Sequence, residues 1–291
     1  MSSASSLLLA TVLASSAPNP ACVPTPRDDW SKSYTASLPS KYPDKKSCQV
    51  LFLGDSLTQC WLFPASHQYH GGLETWERVY QPLGAANLGV IGDRVENLLW
   101  RVTAGRQLEG FAPKAVVLLV GTNNLHRPRV DSPEQIADGV KLLLDTVRAK
   151  LPGAKILLLG LFPRFDTYSS EEYFRTRTAA VNKLLATFDD GRDVLFLDIG
   201  GRLGKGLYRD GLHLTPEGYK VWAEAMEPSL GSLLAREEPN GLRLPNGTRI
   251  GVTSSPRTTD RETAKIAAEI LRQMTGGGKR EREARGRDAA P

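Results

Sequence analysis

Ser56 stands directly after an apolar run in LFLGDSLTQC (51–60), and its type suits covalent chemistry. A hydroxyl is a weak nucleophile until a base takes its proton, so it needs an imidazole within hydrogen-bond reach. His213, in YRDGLHLTPEGY (208–219), can serve as that base. Asp210, three residues earlier, can hold the other ring nitrogen, set the tautomer and stabilise the imidazolium that forms. A tetrahedral intermediate also needs donors for its oxyanion. The backbone N–H groups of Ser56 and Gly92 and the side-chain amide of Asn123 are the candidates. Together these are the parts of acyl transfer. Singly, each has an ordinary reading: GDSL as a turn, Asn123 as a turn residue, Gly92-Asp93 as a loop closing into a helix cap, DGLH as a cap for the last helix. Their joint order along the chain favours the chemistry.

That order depends on the elements that carry them. Five short apolar runs read as strands: CQVLFLG (48–54), GAANLGV (84–90), KAVVLLVG (114–121), AKILLLGLF (154–162) and DVLFLDI (193–199). Between and after them lie helical patterns: LETWERVYQPL (73–83), DRVENLLWRVTAG (93–105) with Asp93 as its cap, and a segment from Ser132, the cap, to Gly153. Two more follow, SEEYFRTRTAAVNKLLATF (170–188) and a last helix after Thr215, its cap, and Pro216. Strands alternating with helices imply crossovers, hence an α/β domain over 47–235 with a mainly parallel five-stranded sheet and helices on both faces. Ligands of such sheets sit beyond the carboxyl ends of the strands. Ser56, Gly92, Asn123 and the Asp210/His213 pair all fall there.

The rest of the chain bounds the function. The 291 residues carry a net charge of +5, and from Arg236 onward 12 Lys and Arg stand against 8 Asp and Glu. The basic excess therefore lies mainly in a tail (236–291) without aromatic residues, which argues against nucleic-acid binding. That tail reads as turn-rich and flexible, with one amphipathic helix over 260–274. Residues 1–46 read as an extension, extended in 18–46. Its first 17 residues hold a short apolar run without a preceding Lys or Arg, a weak signal segment that is too short to span a bilayer. If it directs export, Asn246-Gly247-Thr248 becomes a glycosylation acceptor. Cys22, Cys48 and Cys60 have neither CxxC nor metal-ligand spacing, and His67 and His70 near Cys60 lack further ligands, so no metal is expected.

Ser56 in GDSL, Gly92 in NLGVIGD, Asn123 in VGTNN and Asp210/His213 in DGLHLT resemble the four blocks of the SGNH (GDSL-type) hydrolase family. More narrowly, NPACVPTP, GDRVENLLWRV, AKILLLGLFPR and LHLTPEGY resemble the catalytic subunits of intracellular platelet-activating-factor acetylhydrolase, over about residues 18–235. The resemblance implies a three-layer α/β/α flavodoxin-like fold, a Ser56-His213-Asp210 triad, an oxyanion hole at Ser56, Gly92 and Asn123, and no metal or organic cofactor. It also implies a cytoplasmic enzyme and allows a homodimer. Ile91 departs from the family pattern, where a second small residue is common, and narrows the approach to the oxyanion hole. Leu57 and Leu212 flank the serine and the histidine. With their side chains in the acyl pocket, they leave room only for short chains, acetyl above all. A carbohydrate O-acetylesterase is the alternative, favoured if the chain is exported. A non-catalytic binding protein of the same fold is expected only where a triad or oxyanion residue is missing.

Overall fold

The computed structural model describes residues 17–238, 241–243 and 249–250. Its centre is a parallel sheet of Val50–Gly54 (β1), Ala86–Gly89 (β2), Ala115–Leu119 (β3), Lys155–Leu159 (β4) and Val194–Leu197 (β5), in the order β2-β1-β3-β4-β5. The register runs from Leu51 opposite Ala86 to Gly54 opposite Gly89, and from Val50 opposite Ala115 to Gly54 opposite Leu119. Every residue of β1 and β3 is buried, which is why VLFLG and AVVLL are apolar throughout rather than alternating. β5, at the sheet edge, is only partly covered.

Among the described residues, seven α-helices accompany the sheet: Ser31–Ser37 (α1), Ser56–Gln59 (α2), Leu73–Val79 (α3), Val95–Val102 (α4), Pro133–Lys150 (α5), Glu171–Leu185 (α6) and Pro216–Leu234 (α7). α4, α5 and α6 lie side by side, and α3 pairs with α7, giving the three-layer flavodoxin-like arrangement. The caps at Ser132 and Thr215 form as expected. Ser132 and Gln135 exchange hydrogen bonds of 3.2 and 2.9 Å, and Thr215 Oγ1 accepts from the Gly218 N–H.

Three expectations change. Residues 18–46 are not simply extended: they hold α1 and 3-10 turns at Pro20–Cys22, Leu38–Lys41 and Lys45–Ser47, with Ala21 and Leu38 fully buried in the core. The predicted helix over 73–83 stops at Val79 and gives way to a 3-10 turn at Gln81–Leu83, where Pro82 cannot donate to a continuing helix. Past α7, Arg236–Glu238 (β6), Gly241–Arg243 (β7) and Arg249–Ile250 (β8) pair as a small antiparallel sheet where turns alone were expected. The signal segment, apart from Ala17, the Asn246 acceptor and the 260–274 helix lie outside the described residues. Among the described residues, no helix is long and apolar enough to cross a membrane.

The chain passes from β1 to β2 on one side and returns to β3 on the other side of β1. The carboxyl ends of β1 and β3 therefore flank the point where strand order reverses, the preferred ligand crevice of such sheets.

Candidate active site

β1 ends on Gly54, whose position leaves no room for a side chain: a Cβ there would lie 2.1 Å from Thr58 Oγ1 and 2.3 Å from the Leu119 carbonyl. The strand can thus turn sharply into α2, of which Ser56 is the first residue. Asp55 caps that helix, its Oδ1 accepting from the Leu57 N–H at 3.0 Å. Its Oδ2 has no hydrogen-bond partner among the described residues. Burial pushes the Asp55 carboxyl up to about 7, against the pull of the Leu57 N–H and of His213. The α2 turn is braced from below by Tyr219, whose hydroxyl donates to the Leu57 carbonyl at 2.8 Å. Tyr219 stands edge-on to Trp61 (centroids 4.6 Å apart), and Trp61 continues to Phe52 of β1. Ser56 is therefore fixed by packed aromatic rings rather than by a mobile loop.

His213 Nε2 lies 3.0 Å from Ser56 Oγ, and Asp210 Oδ2 lies 2.7 Å from His213 Nδ1. Asp210 Oδ1 accepts from the backbone N–H groups of Leu212 and His213 at 2.9 and 2.7 Å, so the turn itself orients the carboxylate. Burial alone would raise the Asp210 pKa, but hydrogen bonds from the His213 ring and these backbone groups hold it well below the ordinary carboxylate range. The turn is anchored where the Phe165 N–H donates to the Gly211 carbonyl at 2.7 Å. Tyr69 lays its ring over the imidazole at 4.9 Å. Ser56 is 2% exposed and His213 8%. An imidazole so held can take the hydroxyl proton while the carboxylate stabilises the resulting charge.

The loop that carries Gly92 and the turn that carries Asn123 meet through one hydrogen bond. Asn123 Nδ2 donates to the Asp93 carbonyl at 2.9 Å, which leaves its second hydrogen for another acceptor. Gly92 adopts φ +80°, a conformation that L side chains rarely take. The loop is gripped from both sides: Arg27 Nη1 donates to the Ile91 carbonyl at 2.6 Å, and Gln59 Oε1 accepts from the Ile91 N–H at 2.7 Å.

Asp93 is not the helix cap that its sequence position suggested. α4 starts two residues later, behind Arg94, and the Asp93 side chain turns inward to Arg101 Nε at 2.7 Å. Arg101 is buried and also donates to the Leu88 carbonyl (2.8 Å), Gln107 Oε1 (2.8 Å) and the Gly54 carbonyl (3.2 Å). It thereby ties the ends of β1 and β2 to the Gly92 loop. Removing one partner of a buried pair strands the other charge. Arg101→Leu is expected to lower stability by about 3–5 kcal/mol, read by urea denaturation, with part of the loss recovered when Asp93→Asn is added. An unfolding midpoint unchanged from wild type would show the network to be dispensable.

Of the two expected pocket residues, Leu57 is 2% exposed and belongs to the contiguous core, and Leu212, 8% exposed, stands outside it beside His213. His67 packs on Phe63 at 3.9 Å, and among the described residues no group of three or more His, Cys, Asp or Glu is placed to hold a metal ion. Sequence reading missed Arg164 and Tyr69. Arg164 is buried, donates to the Thr122 carbonyl at 2.9 Å and pairs with Asp166 at 2.7 Å, so it braces the turn that carries Asn123. The only local signal for it was a charged residue two positions past the apolar run 154–162.

A five-stranded parallel sheet in this order, with Ser56, His213 and Asp210 in hydrogen-bonded series at its carboxyl edge, matches the fold and site layout expected of the SGNH/GDSL type. The chain belongs to the GDSL-like lipase/acylhydrolase family, whose pattern it matches over residues 52–221. It is 33% identical over 245 residues to platelet-activating factor acetylhydrolase IB subunit alpha1 of Rattus norvegicus, covering 78% of this chain and 96% of that one. It is 32% identical over 236 residues to the alpha2 subunit of Homo sapiens, covering 74% and 92%. In fold it is similar to a carbohydrate acetylesterase family member from Sinorhizobium meliloti (TM-score 0.53, 22% identity), covering 64% of this chain and 99% of that one.

Proposed function

We propose that this acylhydrolase removes short acyl groups, acetyl foremost, through a Ser56-His213-Asp210 triad, in the manner of the platelet-activating-factor acetylhydrolase subunits it resembles. The observation that carries the reading is the unbroken series from Asp210 Oδ2 through His213 to Ser56 Oγ, at 2.7 and 3.0 Å. Ser56 Oγ attacks the ester carbonyl carbon while His213 Nε2 takes its proton. Asp210 keeps the imidazole hydrogen on Nδ1 and stabilises the imidazolium. The oxyanion is held by the N–H groups of Ser56 and Gly92 and by the free hydrogen of Asn123 Nδ2. Collapse breaks the ester C–O bond, and His213 returns the proton to the departing alcohol. Water then repeats the sequence: His213 takes its proton, the hydroxyl attacks the acyl-serine, and the proton passes back to Ser56 Oγ as the carboxylic acid leaves.

The near-complete burial of Ser56, with Leu212 next to His213 outside the core, supports short acyl chains. On p-nitrophenyl esters, kcat/KM is expected to fall by about 10-fold or more between acetyl and octanoyl, since an overfilled apolar pocket discriminates at that scale per group. Equal or faster octanoyl turnover would overturn the short-chain reading. Only neutral imidazole can accept the serine proton, so kcat/KM should decline on acidification. With Asp210 held below the ordinary carboxylate range, its carboxylate stays charged through that decline. A kcat/KM that does not fall on acidification would contradict this reading.

A further inference from the structure

Asn123 can donate to an oxyanion only while its amide faces the correct way, and a side-chain amide can turn over about its last torsion. One hydrogen bond opposes this. The Asp93 carbonyl only accepts, so the atom facing it at 2.9 Å must be the nitrogen of Asn123. Oδ1 is thereby turned to the opposite side, where His126 Nε2 lies 3.3 Å away. Two acceptors cannot bond each other, so that ring nitrogen must carry a hydrogen.

We infer that His126 is a positioning residue, whose Nε2–H donates to Asn123 Oδ1 and keeps the second amide hydrogen turned toward the reacting carbonyl. This rests on the reading of Asn123 as an oxyanion donor. The surroundings of His126 suit a fixed, neutral donor. Arg94 Nη1 donates to the carbonyls of Asn123 (2.6 Å) and of His126 (3.4 Å), locking the backbones of the two residues together. Tyr168 stacks on the imidazole, with centroids 4.9 Å apart and planes 15° apart. Tyr168 is in turn held by its own N–H, which donates to Asp166 Oδ1 at 3.0 Å, although its side chain is left outward and the residue is 71% exposed. Burial first, and then the charges of Arg164 and Arg94, push the His126 pKa below the ordinary histidine value, against a pull from the Arg127 backbone and Asp166. The ring is half-buried and hydrogen-bonds neither Ser56 nor His213, so its effect passes through Asn123.

His126→Phe keeps the stack on Tyr168 and removes the donor, whereas His126→Gln gives up the stack and keeps an N–H at similar reach. On p-nitrophenyl acetate, with thermal melts confirming folding, His126→Phe should lower kcat by about 3–10-fold with KM little changed, the scale of one neutral hydrogen bond. His126→Gln should stay within about twofold of wild type. Asn123→Ala should lose about 10²–10³-fold. Adding His126→Phe to Asn123→Ala should then cost nothing more, because the group it positions is gone. The reverse ranking, with Phe tolerated and Gln impaired, would show that His126 serves only ring packing and would overturn the inference. So would additive losses in the double variant. An Asn123→Ala enzyme with wild-type kcat would remove the oxyanion reading and this inference together.

Discussion

Ser56→Ala is expected to lower kcat by about 10⁴–10⁶-fold while leaving the melting temperature close to that of wild type. The loss is large because the remaining parts cannot substitute. Among the described residues no other hydroxyl or thiol hydrogen-bonds His213 Nε2, and water entering the vacated space would have to attack without forming an acyl-serine. The proposed oxyanion donors would still stabilise the intermediate formed when that water attacks, which sets a floor rather than zero. The fold should tolerate the change because the α2 turn is secured by groups other than the Ser56 hydroxyl: the Asp55 cap, the Tyr219 hydroxyl and the close approach at Gly54. Turnover measured on p-nitrophenyl acetate beside a thermal melt checks both halves. A variant that keeps more than a tenth of wild-type kcat would place the nucleophile elsewhere.

Asp210→Asn should be almost as damaging, about 10⁴-fold in kcat/KM, for a reason specific to this turn. Asp210 Oδ1 accepts two backbone N–H groups, from Leu212 and His213. Those donors require an oxygen, so the amide of an asparagine would keep its oxygen there and turn its nitrogen toward His213 Nδ1. That ring nitrogen would then have to accept, which moves the imidazole hydrogen to Nε2. A protonated Nε2 cannot take the hydrogen of Ser56. The substitution changes no volume and preserves the turn, so the melting temperature should hold while activity collapses. Kinetics within tenfold of wild type would mean that Asp210 does not set the tautomer.

The residues proposed to react could be proposed from the sequence because each sits at a strand end or just ahead of a helix, places that local pattern alone can locate. GDSL closes an apolar run, VGTNN closes another, and DGLH precedes a helix with a Thr-Pro start. What holds them in place was not legible. Asp93 looked like a helix cap because Asp before an amphipathic run usually is one. Its partner Arg101 lies on the same helix but reaches back to the Gly54 and Leu88 carbonyls, contacts that exist only after β1 and β2 pair. Arg164 acts on Thr122, and His126 on Asn123, through turn geometry that carries no periodic signal. Residues 18–46 misled for a related reason. Their α1 and 3-10 elements span three to seven residues, too short to show a hydrophobic period, yet they bury Ala21 and Leu38. Leu57 was expected at an acyl pocket from adjacency to Ser56, but a helical neighbour points away from it, and Leu57 joins the core.

The central claim is that Ser56 is the group that becomes acylated. The most direct measurement is to treat the wild-type protein with a fluorophosphonate, digest it and locate the adduct by peptide mass spectrometry. One adduct per chain is predicted, on Ser56 in the GDSL turn, with activity lost in proportion to labelling. An adduct on any other residue, or full inactivation with Ser56 unmodified, would contradict the account.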